Sequence, residues 1–476
     1  MTSKKVCLIQ CDFPKAPKEH RYIIQDILFP PLGLEYLAQN IRDLAEVIII
    51  DNRFPEYNLN YLKNEFNSIQ PDYVGISVNF SNQIYYANGI AKLAKNYGAK
   101  TIMGGWHPSC VPEDTLSYSW TDLIIRGEGE QTFRELIKKG NPAGINGISY
   151  KNNGNIIHNP DRKLIDLNNY GLPARDMRPK ISEKYYNIFG APIDCMETSR
   201  GCPFSCKFCS IHNFYRHQYR MRSVSMVLQD LRQIKDYNKL IYLVDDNFTA
   251  DRHHVNKICR AIIKEKISKV FMSTSRLDQV VKHPEMYELM AKAGFMFALV
   301  GIESFSDKAL EKLNKRLKLK EIKKGIKILH DLGFIIEGGI ILGADYDTTK
   351  EDLESTLEIT KSLDIDIPTF SILTPYPMTD LWDEVHDKGL IFENINWHNF
   401  DWTQPLIKYP NVSSEELRHY LDKAYYEVGR FKRPMQKMLD IIKARGIQFF
   451  LSTFLTKGGI RTLIKFIKRF YPNFMK

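Results

Sequence analysis

Three cysteines, Cys202, Cys206 and Cys209, stand in the run Ser199-Arg200-Gly201-Cys202-Pro203-Phe204-Ser205-Cys206-Lys207-Phe208-Cys209. Their C-x3-C-x2-C spacing is short enough for three thiolates to converge from one loop on a single inorganic centre. An electron-transfer 4Fe-4S cluster is usually closed by four thiolates, so three with no obvious fourth leave one iron open to another ligand. A structural zinc site with His212 as fourth ligand is disfavoured, because zinc sites use paired C-x2-C knuckles and no second pair is present. A disulfide is weaker still: an enzyme-sized chain without a signal peptide is expected in a reducing compartment.

The other cysteines, Cys7, Cys11, Cys110, Cys195 and Cys259, lack metal-ligand spacing, and Cys7, Cys195 and Cys259 sit among apolar neighbours as expected of core thiols. The chain has 476 residues, 43% of them apolar, which is enough for two or three globular domains. Its net charge of +10 is local. Residues Lys443 to Lys476 hold eight Lys or Arg and no acid, leaving 58 basic against 56 acidic residues elsewhere. No run has the 18 uncharged apolar residues of a spanning helix, so the expected location is cytoplasmic.

The elements that position the cysteines follow from periodicity. Short apolar runs at Val6 to Gln10, Val47 to Ile50, Tyr73 to Val78, Lys100 to Met103 and Asp122 to Ile125 alternate with helical patterns. They predict an α/β, doubly wound, flavodoxin-like parallel sheet, with its ligand site beyond the carboxyl ends of the strands. Asn152-Asn153-Gly154 signals a hairpin. A second alternation begins near Pro192, with strands expected at Ile193 to Thr198, Leu240 to Val244, Val270 to Thr274, Phe297 to Ile302, Ile335 to Leu342 and Thr369 to Leu373. Six strand-helix units with the cysteine loop after the first strand place that loop where barrel active sites lie.

The loop resembles the cluster loop of the radical S-adenosylmethionine enzymes, down to the aromatic Phe208 before the last cysteine. The first segment is similar to the cobalamin-binding domain that precedes many such barrels, through Pro30-Pro31-Leu32-Gly33-Leu34-Glu35, Val74-Gly75-Ile76-Ser77, Gly104-Gly105-Trp106-His107-Pro108 and Gly127-Glu128-Gly129-Glu130. The resemblance implies a flavodoxin-like cobalamin domain, a partial (β/α)6 barrel and a helical C-terminal region. The expected boundaries are 1-140, a linker 141-189 with the hairpin, 190-390 and 391-476. It also implies that Cys202, Cys206 and Cys209 hold a 4Fe-4S cluster. Phe208, Asp245, Asp246, Ser273, Arg276, Gly301, Glu303 and Ile341 would meet S-adenosylmethionine. Gly33, Ser77, Gly104, Gly105, Trp106, His107, Glu128 and Gly129 would meet cobalamin. The D-x-H-x-x-G motif of older cobalamin domains is missing, so cobalt is expected without a histidine from below, and His107 is either a corrin contact or a turn histidine bonded to backbone. Thr374-Pro375-Tyr376-Pro377-Met378-Thr379 follows the family's T-P-Y-P-G-T, with Met378 in place of Gly.

The activity implied is methylation of an unactivated carbon on a hydrophobic small molecule, a lipid or tetrapyrrole, with hopanoid methylases among the relatives. A low-potential donor such as flavodoxin or ferredoxin would supply electrons. Ring formation or oxidation with the same cofactors, as in the cyclase that makes the fifth ring of bacteriochlorophyll, is the enzymatic alternative. A non-enzymatic cobalamin or redox sensor is the alternative of another class, and it would need none of the strand-end groups. An RNA methylthiotransferase is disfavoured because further cluster cysteines and a terminal β-barrel are missing. No residue is singled out as catalytic at the substrate. Trp397, Phe400 and Trp402 form an aromatic group suited to a cavity wall or to core packing. In the tail, Ile460, Leu463, Ile464, Ile467 and Phe470 recur at helical spacing opposite Arg461, Lys465, Lys468 and Arg469. This pattern predicts a basic amphipathic helix in peripheral contact with an anionic membrane face, the alternative being a helix packed on the barrel. Nucleic acid is not expected, because no aromatic platforms interleave with these charges.

Overall fold

The computed structural model describes residues 4–13, 28–179, 185, 192–234, 240–393, 396–428 and 443. Apart from residue 443, the basic tail lies outside these residues, and so does its predicted amphipathic helix. The chain divides into two compact units. The first comprises residues 1–16, 30–182 and 396–401, and the second the remainder.

The first unit is built on β1 (Lys4–Gln10), β2 (Ala45–Asp51), β3 (Tyr73–Ser77), β4 (Lys100–Gly104) and β5 (Leu123–Ile125). They run parallel in the order β2-β1-β3-β4-β5, the doubly wound arrangement. The unbroken Val6-Cys7-Leu8-Ile9 run reflects coverage of both faces. Val6 and Leu8 pack into one core with Leu34, Ala38 and Phe133, while Cys7 and Ile9 pack into another with Leu62, Phe66, Ile84 and Ala87. The period of two sends alternate residues to opposite layers. The hairpin forms as β6 (Ile148–Asn152) and β7 (Asn155–His158), and it joins this sheet antiparallel at β5. Pairing there satisfies the backbone groups of an otherwise bare edge.

The second unit carries β8 (Ile193–Met196), the two-residue pair β9 (Ser199–Arg200) and β10 (Arg220–Met221), then β11 (Leu240–Leu243), β12 (Val270–Ser275), β13 (Phe295–Glu303), β14 (Ile335–Leu342) and β15 (Ile367–Ile372). The six long strands are all parallel and stand in sequential order from β8 to β15, as in a partial (β/α)6 barrel. Helices return the chain between them. Arg252–Lys264 is capped by Asp251 accepting from the His254 N–H, and Lys350–Ser362 by Thr349 accepting from the Asp352 N–H. Val255, Ile258, Leu353 and Leu357 on these helices fill the layer against Ile241, Phe271, Ile336 and Ile340 of the strands. Among the described residues no helix is long and apolar enough to cross a membrane.

Candidate active site

The cysteine loop begins where β8 ends, and almost every turn of it is tied down. Gly201 has φ +89°, and a Cβ there would lie 2.0 Å from the Gln218 carbonyl oxygen, so only glycine passes this point. Its N–H donates to Asp246 Oδ2 at 2.8 Å. Asp245 accepts from the Thr198 N–H at 2.8 Å and from the hydroxyls of Thr198 and Ser199, each at 2.5 Å. Antiparallel pairing of β9 with β10 closes the loop at its far side. Within it, the Cys209 N–H donates to the Cys206 carbonyl at 3.0 Å, and the Lys207 N–H to the Leu313 carbonyl at 3.0 Å. Lys207 Nζ reaches Glu384 at 2.9 Å, and Asn314 Nδ2 donates to the Ser205 carbonyl at 2.7 Å.

The residues expected to meet S-adenosylmethionine, Phe208 of the loop apart, stand at or just past the carboxyl ends of β11, β12, β13 and β14. Phe208 and Ile341 pack against one apolar cluster with Leu313, Ala344, Leu373 and Leu381. Ser273 Oγ is buried without a hydrogen-bond partner among the described residues. Both Asp245 and Asp246 act as anchors of the loop; burial pushes their carboxyls up, to about 7 and about 6. Glu303, at φ +65°, accepts from Lys315 Nζ at 2.7 Å, beside Gly301. Arg276 is turned to the Cys206 sulfur, with Nη1 at 3.7 Å from Sγ. Asn247 Nδ2 stands 3.5 Å from Cys202 Sγ.

Lys315 and Glu337 are not among the groups the sequence points to. Lys315 lies in a run with no metal or ligand signature. Glu337 did leave a signal, as a lone acid in the apolar strand Ile335-Ile336-Glu337-Gly338-Gly339. It shares a face of β14 with Ile341, opposite the buried Ile336 and Ile340, and burial pushes its carboxyl up to about 7.

In the first unit, Ser77, Gly104, Gly105, Trp106, His107, Glu128 and Gly129 collect at the carboxyl ends of β3, β4 and β5, and Gly33 lies on the helix Leu32–Ile41 that follows β1. Gly105 has φ +107°, and a Cβ there would strike the Val78 carbonyl oxygen at 2.8 Å. Glu128 accepts from the Ile165 N–H at 2.9 Å. His107 is fully buried; its Nδ1 lies 2.9 Å from Ser81 Oγ, a side-chain bond where a backbone bond was one of the two expectations. Its Nε2 has no hydrogen-bond partner among the described residues, and burial holds the imidazole neutral down to about pH 3. The Trp397 ring meets His107 edge to face at 4.9 Å, and Trp397 Nε1 donates to Asp114 at 2.9 Å. Trp397 and the fully buried Phe400 pack together 4.8 Å apart, whereas Trp402 is partly exposed.

Both implied groups find residues that fit them. Three thiols on one loop, two with N–H donors aimed at sulfur, suit an iron–sulfur cluster. At the sheet edge of the first unit, the unpartnered His107 Nε2 and Asn82 Oδ1 and the close backbone at Gly105 suit a ligand edged with amides.

The comparisons decide the family. Residues 196–395 match the radical SAM superfamily and residues 28–137 match the B12 binding domain. An uncharacterised methyltransferase of Pyrococcus horikoshii is 33% identical over 92% of this chain and 94% of its own. The chain belongs to the cobalamin-binding radical SAM enzymes. The hopanoid C-3 methylase of Methylococcus capsulatus is 30% identical to this radical SAM protein, over 74% of this chain and 68% of its own. The fold is that of the cobalamin-dependent S-adenosylmethionine radical enzyme OxsB, at TM-score 0.72 and 21% identity over 98% of this chain and 75% of that one. Its cofactors are therefore a 4Fe-4S cluster, S-adenosylmethionine and cobalamin.

Proposed function

We propose that this radical SAM enzyme methylates an unactivated carbon of a hydrophobic small molecule, a polycyclic lipid or a tetrapyrrole. The observation that carries the reading is a three-cysteine loop in the same chain as a B12 binding domain, in a protein 33% identical to an uncharacterised methyltransferase along nearly its whole length. When bound, the cluster and cobalamin supply the radical chemistry and the methyl carrier.

The protein's own residues organise that chemistry. Cys202, Cys206 and Cys209 hold the cluster. Phe208 and Ile341 offer an apolar wall for the adenine, and the free Ser273 hydroxyl a donor or acceptor for the ribose. The Glu303–Lys315 pair and Gly301 shape the next strand end for the adenosyl group. Asp245 and Asp246 act from behind, fixing the loop that carries the thiols. In the first unit, Gly33, Ser77, Gly104, Gly105, Trp106, His107, Glu128 and Gly129 line the corrin site. A low-potential donor of the flavodoxin or ferredoxin type supplies electrons. The basic tail holds the protein at an anionic lipid surface, where a hydrophobic substrate would be delivered.

The test is anaerobic turnover of the reconstituted protein with candidate polycyclic lipids and tetrapyrroles. S-adenosylhomocysteine and 5'-deoxyadenosine should form together with a product heavier by one methyl group. Deoxyadenosine without S-adenosylhomocysteine would favour ring formation or oxidation. Co-sedimentation with anionic liposomes, full chain against a version ending at Arg445, tests the surface contact; equal binding removes it.

A further inference from the structure

We propose that Arg276 is a positioning residue for the iron–sulfur cluster: its guanidinium bonds to the Cys206 sulfur and, together with Asn247 at Cys202, raises the reduction potential of the cluster instead of binding S-adenosylmethionine. The inference rests on the three-cysteine ligand assignment. Arg276 follows β12 and is 7% exposed. All three of its nitrogens are engaged. Nε donates to Asp278 Oδ1 at 2.9 Å, Nη2 to the Lys315 carbonyl at 2.5 Å, and Nη1 to Cys206 Sγ at 3.7 Å. One face lies over the Phe204 ring, with the guanidinium carbon 3.8 Å from its centroid.

A guanidinium recognises a carboxylate through two parallel N–H groups on one edge. Here three of the five N–H groups are committed, Nε to Asp278, one on Nη2 to Lys315 and one on Nη1 to Cys206. The fork that includes Nε is thereby closed to a cofactor carboxylate, and Nη1 is turned to the sulfur. What the arrangement does present is a buried positive charge and an N–H donor at a cluster sulfur. Asn247 repeats the donor at Cys202 Sγ, at 3.5 Å. Reduction adds one electron to a centre already surrounded by three thiolates, and hydrogen bonds to sulfur and nearby positive charge stabilise the reduced form more than the oxidised one. Both residues therefore move the potential upward, toward what a low-potential protein donor can reach.

The experiment is a redox titration of the anaerobically reconstituted full chain, without S-adenosylmethionine, with dithionite as the one-electron source and electron paramagnetic resonance as the readout. Iron and sulfide content confirm the cluster in every variant. At the wild-type midpoint, the ratio of reduced to oxidised cluster should fall about tenfold in Arg276→Met, a downward shift of about 59 mV. Asn247→Leu should move in the same direction by less, and Arg276→Lys should recover part of the loss. Affinity for S-adenosylmethionine should stay within about threefold of wild type. An unchanged midpoint with tenfold weaker S-adenosylmethionine binding would overturn the proposal and make Arg276 a cofactor ligand. Should Arg276→Met fail to hold a cluster, Asp278→Ala removes the acceptor of Nε while keeping the arginine; unshifted midpoints in both Asp278→Ala and Asn247→Leu overturn the proposal equally. A wild-type protein that shows no 4Fe-4S signal refutes the ligand assignment itself.

Discussion

Glu303 and Lys315 meet as a buried ion pair, Oε1 to Nζ at 2.7 Å, in a space that exists because residue 301 is glycine. A Cβ on residue 301 would stand 2.2 Å from Glu303 Oε1 and 2.6 Å from Lys315 Nζ. The pair also extends to the cluster loop, because the Lys315 carbonyl accepts from Arg276. Gly301 thus belongs to the site through what it leaves room for.

Breaking this pair on one side should be worse than removing it. Lys315→Met leaves a buried carboxylate uncompensated and should destabilise the barrel by about 3 kcal/mol. Glu303→Gln combined with Lys315→Met should recover at least half of that. Thermal unfolding of the three proteins at pH 7 checks this; equal losses in the single and double variants would show that the pair is not coupled.

Met378 occupies the position where the family's T-P-Y-P-G-T has glycine, and its φ of +66° lies in the left-handed region. A non-glycine residue there is strained by about 1–3 kcal/mol, partly offset by the greater chain entropy that glycine loses on folding. Met378→Gly should therefore stabilise by about 0.5–1 kcal/mol, while Met378→Ala should gain nothing, since alanine keeps the Cβ. The half-exposed side chain makes loss of packing a small term. A lower melting temperature for the glycine variant would refute the strain argument.

Glu337 makes stability depend on pH. Its folded value of about 7 lies above the ordinary 4.5, so between those values the native protein holds a proton that the unfolded chain has released. Stability must then fall as pH rises through that window and stay reduced above it. Glu337→Gln should be neutral near pH 4 and stabilising by about 2–3 kcal/mol near pH 8. Denaturant unfolding at the two pH values measures the difference, and an equal effect at both would show that the carboxyl is solvated.

His107 should stay off the cobalt. The D-x-H-x-x-G motif is missing, the ring is held by Ser81 at Nδ1 and by Trp397 at its edge, and the unpartnered Nε2 is expected to meet an amide of the corrin edge. The cobalt(II) spectrum should lack nitrogen superhyperfine splitting and be unchanged in His107→Ala. Because burial keeps the imidazole neutral down to about pH 3, missing splitting at pH 7 cannot be put down to protonation. Splitting by one nitrogen that disappears in His107→Ala would reverse this conclusion.

The sequence alone determined whatever depends on local pattern. Apolar runs such as Val6 to Gln10 and Ile335 to Leu342 mark strands buried on both faces, and the alternation with helices places the carboxyl ends where sites form. The spacing of Cys202, Cys206 and Cys209 limits the chemistry because three thiols so close in the chain can hardly avoid one another. Neighbours distant in sequence were decided by tertiary structure only. Asp245 and Arg276 carried polar groups suited to a cofactor, yet folding places each beside other partners, Thr198 and Ser199 for one and Cys206, Asp278 and Lys315 for the other. Trp397 lies 290 positions beyond His107 in the sequence and still shares its core. A side chain's type says which bonds it can make; the fold decides which partner arrives first, because a buried donor or acceptor must be satisfied by whatever the packing brings within reach.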